Sequence, residues 1–412
     1  MPGVAGRLES LIRDIAGVDL PVGLRAWDGS AAGPPDGPVL VLRNRRALRR
    51  LLWAPGELGL ARAYVTGDLD VEGDLADGFR RAWRAAPRAR VALGAGERVR
   101  AAAVALRLGA VGPPPAPPMS EARLSGRLHT RGRDRAAISH HYDLSNEFYH
   151  LLLDEHMAYS SGYHDLDSDT ETLHEAQTAK LDLICRKLRL RPGMRLLDVG
   201  CGWGALILYA AANYGVHATG ITLAAEQRAF IAERVAERGL TESVEVHLRD
   251  YREFGESPEF AGSFDAVSSI EMGEHVGEEH YPVYASIMFG ALKPAGRLLL
   301  QQMSRPLGTA PGGGAFIERY IAPDMHMRPL WQTMRYLQNA GFEILGVEAM
   351  REHYVRTVDG WLATFEERYD QFVALVGEEV ARVWRLYLVG GGLAFEQGRM
   401  GVDQILAAHP AD

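Results

Sequence analysis

The part of the chain after residue 190 alternates short apolar runs with amphipathic stretches. The apolar runs RLLDV, GVHATGITL, SVEVHLRD, FDAVSSI and GRLLLQQM each have the length of a strand, and AEQRAFIAERVAERGL between two of them has helical spacing. This alternation predicts an α/β fold with a doubly wound, Rossmann-like parallel sheet. Residues from about 305 to 409 are mostly helical in pattern and rich in aromatic side chains. We expect them to form a helical cap over the strand ends, where such folds bind ligands.

The amino-terminal part shows a different pattern of strand, turn and helix signals. VLVLRNRRALRRLLW indicates a strand and a short basic helix, AYVTGDLDVEGDL has turn residues between apolar positions, and residues 79–108 have a helical pattern with many arginines. The run GPPPAPP at 112–118 is incompatible with a helix or a central strand. We therefore predict a smaller α+β domain over residues 1–111, a Pro/Arg-rich linker over 112–135 and the larger domain over 136–412.

Charge is distributed unevenly between these parts. Residues 1–135 contain 22 arginines against 14 acidic residues, and the remainder contains 23 basic against 39 acidic residues. A basic first domain favours an anionic partner, which is either a membrane surface or a nucleic acid. An arginine-rich, solvated helix face remains the alternative interpretation.

A glycine-rich loop follows the first strand of the larger domain. The string Asp198-Val-Gly-Cys-Gly-Trp-Gly204 precedes the helical stretch ALILYAAANYG. Glycines allow a sharp turn and close approach of a ligand to the backbone, and a helix amino terminus favours an anionic group. The same residues also satisfy the dinucleotide pattern, so the loop by itself leaves nicotinamide and S-adenosylmethionine cofactors open.

Two details favour S-adenosylmethionine. Asp198 stands where a carboxylate can meet the cationic end of that cofactor, and the second strand ends at 220–223 without the acidic residue of a nicotinamide site. Asp250, with Tyr251 beside it, follows the third strand and is placed to frame an adenine. A dehydrogenase and a purely structural glycine turn are the alternatives.

Five strings, in order, resemble the cyclopropane-fatty-acyl-phospholipid synthase family. They are HHYDLSNEFY at 140–149, MAYSSGY at 157–163, LDVGCGWG at 197–204, GITLAAEQ at 220–227 and MGEHVG at 272–277. The resemblance covers nearly the whole chain, because longer members of that family also have an amino-terminal lipid-binding domain. It implies a class I methyltransferase sheet and the transfer of a methyl group from S-adenosylmethionine to a cis alkene, with a carbocation that must lose a proton.

By position, the resemblance assigns residues to the cofactor site. With the loop and strand-end residues above, the set is Tyr159, Ser160, Asp198, Gly200, Gly202, Trp203, Gly204, Thr222, Leu223, Gln227, Asp250 and Tyr251. His141 and Tyr142 are expected to line the same site, and His141 is also a catalytic candidate, with packing beneath the sheet as the alternative.

The chain departs from the family at the catalytic base. Cyclopropane synthases hold a bicarbonate with a Cys, a Glu, a His, a Tyr and main-chain groups. Glu274 and Tyr354 match two of these, whereas Ser161 replaces the Cys and Gln301 replaces the His. The bicarbonate site is therefore in question.

Glu147 stands where relatives commonly have the shorter Asp. We hypothesise that its carboxylate occupies the bicarbonate position and acts as the base. The alternative is that Glu147 merely begins a helix, where acidic residues are favoured by the helix dipole.

The product and the partners follow from the same resemblance. The sequence is most similar to the methyltransferases of the tuberculostearate pathway, which implies a 10-methylene acyl product instead of a cyclopropane ring. The partners expected are a phospholipid with an unsaturated acyl chain, a membrane surface, a flavin-dependent reductase and a second copy of the chain, with no nucleic acid.

The absence of a long apolar run and of a signal-peptide pattern predicts a cytoplasmic, peripherally membrane-associated protein. His275 lacks a second ligand at metal spacing, so no metal is expected. A cyclopropane synthase is the nearest alternative function. A nucleic-acid-binding protein and an NAD-dependent oxidoreductase are the alternatives from other classes.

Overall fold

A computed structural model describes residues 3–85, 94–122, 144–168 and 170–411. The chain divides into two compact units. The first contains residues 1–121 together with 369–393, and the second contains 122–368 and 394–412. The division after residue 121 falls within the linker predicted over 112–135. Residues 369–393, near the carboxyl terminus, also belong to the first unit.

The first unit combines a small sheet with helices. Its strands are β1 (Gly23–Arg25), β2 (Ala31–Ala32), β3 (Val39–Leu42) and β4 (Leu69–Glu72), in the order β2-β1-β3-β4. Its helices are α1 (Val4–Ala16), α2 (Arg45–Trp53), α3 (Glu57–Val65), α4 (Leu75–Ala85) and α5 (Ala95–Arg107). The strand and basic helix predicted from VLVLRNRRALRRLLW are β3 and α2.

Buried arginines connect the elements of this unit. The Arg50 guanidinium on α2 donates to the Asp68 carboxylate just before β4, and both side chains are buried. Arg382, from the segment near the carboxyl terminus, donates to the main-chain oxygens of Tyr64 and Leu69 and to Asp70. Because an unpaired buried charge is costly, these contacts fix the segment 369–393 to the first unit.

The second unit is built on a seven-stranded sheet. Its strands are β5 (Arg195–Val199), β6 (His217–Thr222), β7 (Val244–Leu248), β8 (Phe264–Ile270), β9 (Leu292–Ser304), β10 (Glu343–Ala349) and β11 (Gly401–Ala408). The order is β10-β11-β9-β8-β5-β6-β7, with β5 to β9 parallel and β11 antiparallel to both neighbours. The five strands predicted from the apolar runs are all present, which confirms the doubly wound α/β class.

The remaining helices of the chain include those that flank this sheet and a last one that belongs mostly to the first unit. They are α6 (Asn146–Leu152), α7 (Leu173–Lys187), α8 (Ala205–Tyr214), α9 (Ala225–Glu237), α10 (Tyr251–Gly255), α11 (Tyr281–Ala291), α12 (Ala315–Tyr320), α13 (Leu330–Asn339), α14 (Arg351–Glu367) and α15 (Tyr369–Glu396). The region 305–409 holds four of these helices but also β10 and β11, which the helical interpretation missed. In the described parts of the chain, no helix combines the length and apolarity needed to cross a bilayer.

The topology fixes where a ligand can bind. The chain runs outward from β5 through β6 to β7, and then returns to the other side of β5 with β8 and β9. The carboxyl ends of β5 and β8 therefore lie side by side at the point where the strand order reverses. In open α/β sheets this is where ligands bind.

Candidate functional site

One cavity at the carboxyl ends of the strands collects nearly all of the predicted cofactor residues. Of the twelve, eleven line it, and only Gly204 does not. The wall also contains residues that sequence reasoning did not assign to the site, among them Lys180, Glu271, Met272 and His275. His141 and Tyr142 lie outside the described residues, so their predicted place stays a prediction.

The glycine loop after β5 adopts the conformation that its sequence predicts. Gly200, Gly202 and Gly204 have φ of 82°, 54° and 83°. Residues other than glycine rarely adopt this backbone conformation. A Cβ at Gly200 would lie 2.7 Å from Cγ of Met272, whereas a Cβ at Gly202 would meet no protein atom within 4 Å. The loop thus leaves open space above Gly202, and α8 begins directly after Gly204.

The ends of β5 and β6 place polar groups in the same wall. The Asp198 carboxylate is buried and accepts a hydrogen bond of 2.7 Å from Ser268 Oγ. Burial raises the pKa of Asp198 to about 6, although the Ser268 hydrogen bond and Lys180 oppose this shift. Thr222 Oγ1 donates to Gln227 Oε1, while Gln227 Nε2 is buried and has no partner among the described residues.

These features fit a cofactor with a charged amino-acid end and hydrogen-bonding oxygens. An unsatisfied buried amide donor is rare in a folded protein and calls for an acceptor. Gln227 Nε2 is such a donor in the wall of the cavity. Asp250 accepts from the main chain and the guanidinium of Arg252, so in this structure its carboxylate is paired within α10. Its predicted contact with an adenine stays a prediction.

Aromatic side chains form another part of the site. Tyr159, in the cavity wall, packs against Tyr149 and Trp361 with ring centroids 5.6 and 5.2 Å apart. Trp203 packs against Tyr149, and its Nε1 donates to Asn146. The α6 helix that carries Tyr149 therefore joins the glycine loop to the aromatic cluster.

The predicted catalytic residues do not all come together. Tyr354 on α14 is buried, and its hydroxyl donates to Glu271 Oε2 at 2.7 Å. Glu274 is buried, and its Oε1 accepts from the main-chain N of Met303. Burial, together with the neighbouring Glu271, raises the pKa of Glu274 to about 8.

Glu147 is placed differently. It lies in the first turn of α6, behind the Ser145 cap, where its side chain is exposed, and it is not among the residues that line the cavity. This is the position that the helix-start interpretation expects. The role of Glu147 as the base stays a prediction that this position does not favour.

Glu271 is the carboxylate that the structure brings to the catalytic side of the cavity. It follows β8 directly and has a φ of 51°. Its Oε1 accepts from the main-chain N of Ser161 at 2.9 Å and from Gln301 Nε2 at 2.8 Å. Sequence reasoning stopped at the string MGEHVG, which begins one residue later. An acidic residue at the carboxyl end of a strand next to β5 was the signal that was available.

Lys180 is the second residue that sequence reasoning missed. It lies on α7, is buried, and its Nζ donates to Ser160 Oγ at 2.8 Å. Burial lowers the pKa of Lys180 to about 8, and Glu271, Asp154 and Asp198 oppose that shift. A buried cation in the wall therefore faces the acidic groups of the cavity.

A separate cluster of possible metal ligands lies beside the cavity. Ligand atoms of Asp154, His156 and His174 are within 4.8 Å of one another. His156 Nε2 is hydrogen-bonded to Thr178, and His174 Nδ1 to Asp154. Hydrogen bonds within the protein account for this cluster.

The fold and the cavity define an S-adenosylmethionine-dependent methyltransferase of class I. The family model for mycolic acid cyclopropane synthetase matches residues 129–405, and the chain belongs to this family. A probable fatty acid methyltransferase of Mycobacterium tuberculosis is 38% identical over 94% of this chain and 91% of its own length. One from Pseudomonas putida is 36% identical over 98% and 95%.

A solved structure supports the same assignment. The crystal structure of mycolic acid cyclopropane synthase CmaA1 with SAH and CTAB has a TM-score of 0.61, with 32% identity over 66% of this chain and 98% of that one. The family and the bound SAH of this relative confirm S-adenosylmethionine as the cofactor. The dehydrogenase alternative is therefore set aside, and the chain is a methyltransferase that acts on lipids.

Proposed function

We propose that this enzyme transfers a methyl group to the cis double bond of an unsaturated acyl chain in membrane phospholipid, and that the product carries an exocyclic methylene group. The observation that carries the proposal is the cavity, whose wall joins the cofactor loop to the aromatic cluster and to a half-buried carboxylate, Glu271. Bound S-adenosylmethionine supplies an electrophilic methyl group there. The protein must then stabilise a carbocation on the acyl chain and remove a proton.

The aromatic side chains suit the first task. Aromatic faces attract cations, with a contribution of about 0.5–2 kcal/mol per ring. Tyr159 packs against Trp361 in a tilted arrangement with an interplanar angle of 41°, and Tyr354 contacts Trp361 edge to face. An alkene that reaches Tyr159 in the cavity wall therefore meets an aromatic ring that tolerates positive charge, and Trp361 packs against that ring.

The course of proton loss decides the product. A proton lost from the new methyl group closes a cyclopropane ring if the cation remains on the neighbouring carbon. If a hydride first moves to that carbon, the same loss gives an exocyclic methylene. Two probable fatty acid methyltransferases match 94% and 98% of this chain, whereas cyclopropane mycolic acid synthase 3 matches 65%. We follow the first description, which names methyl transfer to a fatty acid and no ring, and propose the methylene product. A methylene product is also a substrate that a flavin-dependent reductase would convert to a methyl branch.

A mixed basic and apolar face on α2 supports a membrane-bound substrate. Arg45, Arg49, Leu52 and Trp53 recur at the spacing of one helical face. Trp53 is 58% exposed and Leu52 40% exposed, and both arginines are at least partly exposed. Arginine beside exposed tryptophan suits the headgroup layer of an anionic membrane. We call these four residues the α2 face.

The arginine-rich stretch 79–108 is a second candidate for contact with headgroups. Arg80, Arg81 and Arg84 lie on α4, where Arg81 is paired with Asp77 and Arg84 is exposed, while Arg88 lies outside the described residues. The α2 face therefore gives the sharper test of peripheral membrane association.

The substrate test uses vesicles of oleoyl phosphatidylglycerol and cofactor labelled with a trideuterated methyl group. Mass spectrometry of the released acyl chains should show a methylated product that retains two of the three deuterium atoms. Ozonolysis should cleave it to a ketone, since an exocyclic alkene is cleaved and a cyclopropane is not. An ozone-resistant product would establish the cyclopropane synthase alternative, and no labelled lipid would refute the proposal. A parallel RNA sample is expected to remain unlabelled.

The membrane test reverses charge on the α2 face. A protein with Arg45→Glu, Arg49→Glu and Trp53→Ser should lose most of its binding to anionic vesicles, because each basic residue near the surface contributes about 1 kcal/mol. Its affinity for S-adenosylhomocysteine should be unchanged. The control is Arg186→Glu with Arg191→Glu, two exposed positions of the second unit. Equal vesicle binding of wild type and the α2 variant would contradict the membrane role of this face.

A further inference from the structure

The carboxylate of Glu271 lies in a ring of hydrogen-bond donors. Its two oxygens accept three hydrogen bonds of 2.7 to 2.9 Å, from the main-chain N of Ser161, from Gln301 Nε2 and from Tyr354 Oη. Ser161 Oγ points elsewhere, to the main-chain oxygen of Gly162. Three donors converging on one group form a site for an anion.

The direction of these donors is set by a chain of side chains that begins at a lysine. Lys187 Nζ can only donate hydrogen bonds, so Gln404 must accept with its Oε1. Gln404 Nε2 then donates to Gln301 Oε1 at 2.9 Å. This leaves Gln301 Nε2 to face Glu271, so the amide is a donor to the carboxylate and not a competitor for protons.

The position of this site matters for the reaction. Ser161, Gln301 and Tyr354 occupy three of the positions that the family resemblance assigns to a bicarbonate pocket. All three converge instead on a side chain of the protein. A free anion would have to displace the Glu271 carboxylate from these donors, because two anions held at one site are strongly disfavoured.

The geometry also leaves room for a proton. Each carboxylate oxygen has about two acceptor sites. Oε1 of Glu271 uses both, for Ser161 and Gln301, whereas Oε2 accepts only from Tyr354 among the described residues. The backbone at Glu271 has a φ of 51°, and strained backbone of this kind clusters at functional sites.

We propose that Glu271, and neither bicarbonate nor Glu147, is the base that completes the reaction. A C–H bond of the new methyl group breaks, its electron pair forms the exocyclic C=C bond and discharges the cation, and the proton passes to Oε2 of Glu271. Lys180, a buried cation in the same wall, favours the ionised carboxylate. This inference rests on the proposed methylation of an alkene.

The first experiment replaces Glu271 by Gln, which preserves size and removes the base. Binding of S-adenosylhomocysteine should stay within about threefold of wild type, while single-turnover methylation falls about 10²–10⁴-fold, the usual contribution of a general base. Glu147→Gln distinguishes the two carboxylates, and the exposed Glu279→Gln is the neutral control. Near-normal turnover of Glu271→Gln would overturn the proposal, as would loss of turnover in Glu147→Gln alone.

The second experiment empties the anion site. Glycine is well suited to a φ of 51°, so Glu271→Gly should fold and leave its three donors without a partner. Added bicarbonate should restore part of the activity of this variant and have no effect on wild type. Carbon-13 NMR should show labelled bicarbonate bound to the variant and not to wild type.

The NMR measurement requires no methyl acceptor, so it separates two kinds of failure. If wild type methylates no alkene, and the NMR measurement shows bicarbonate bound to the variant and not to wild type, the proposed function fails. The assignment of the carboxylate site to Glu271 then stands. If wild type binds bicarbonate in this cavity, or falls silent when carbon dioxide is removed, the inference is wrong.

Discussion

Removing the Tyr354 hydroxyl should change how the reaction depends on pH. Tyr354 Oη donates to Glu271 Oε2 at 2.7 Å, and no other group of the described residues donates to that oxygen. Tyr354→Phe keeps the ring, which packs against Trp361 and Phe395, and deletes this hydrogen bond. The hydroxyl stabilises the charged form of Glu271, so its loss must raise the pKa of the carboxylate.

The size of the effect follows from that single contact. A hydrogen bond to a charged group contributes about 1.5–3 kcal/mol, and about 1.4 kcal/mol corresponds to one pKa unit. Burial already raises the pKa of Glu271, with the hydrogen bonds from Ser161, Gln301 and Tyr354 opposing it. Removing one of them should raise the pKa of Glu271 further. Since the base must be ionised, the acid limb of the pH–rate profile should move to higher pH by about 1–2 pH units, the equivalent of one such hydrogen bond.

The assay is single-turnover methylation of vesicle lipid across a pH series, with deuterated cofactor. Tyr214→Phe is a matched control, because its hydroxyl donates to Asp182 Oδ1 at 2.6 Å at a site that does not line the cavity. The control should keep the wild-type profile. If Tyr354→Phe binds S-adenosylhomocysteine normally and shows an unshifted acid limb, Glu271 does not act as the ionised base.

Two further predictions concern the cofactor loop and the buried carboxyl group of Glu274. Gly202→Val should reduce S-adenosylhomocysteine affinity at least about tenfold, or ~1.4 kcal/mol, because its side chain enters the open space of the cavity. Gly193→Val carries similar backbone strain outside the cavity and should bind normally in calorimetry. For Glu274, burial raises the pKa from 4.5 to about 8, so the folded state binds a proton that the unfolded state releases. The unfolding free energy of wild type should therefore fall as pH rises from 4.5 to 8, by roughly 3–5 kcal/mol relative to Glu274→Gln, in urea titrations. Glu279→Gln should follow wild type, and parallel curves for wild type and Glu274→Gln would show that Glu274 is not buried as a neutral acid.

Much of the fold and the cofactor site could be predicted from local patterns. The five parallel strands appear as short apolar runs because both faces of such a sheet are buried. The loop from Asp198 to Gly204 combines glycine conformations with a strand before it and a helix after it, so its place at a strand end followed directly. The strands β10 and β11 were missed because the sequence between residues 305 and 409 is dominated by helical stretches. Only pairing with β9 shows that they extend the sheet.

What the sequence by itself determined about this protein is its class, its cofactor loop and the replacement of the residues expected around a bicarbonate. It did not determine which carboxylate lies at the position where the family resemblance implies a bicarbonate. Glu147 and Glu271 are 124 positions apart in the chain. Glu147 lies within one family string, and Glu271 directly precedes another. Their difference lies in three dimensions: Glu147 faces solvent on the first turn of α6, whereas Glu271 meets donors from three distant segments, which bear Ser161, Gln301 and Tyr354. Hydrogen bonds between residues far apart in sequence form only when the sheet and α14 assemble, and so only the tertiary structure decided where the charge is held.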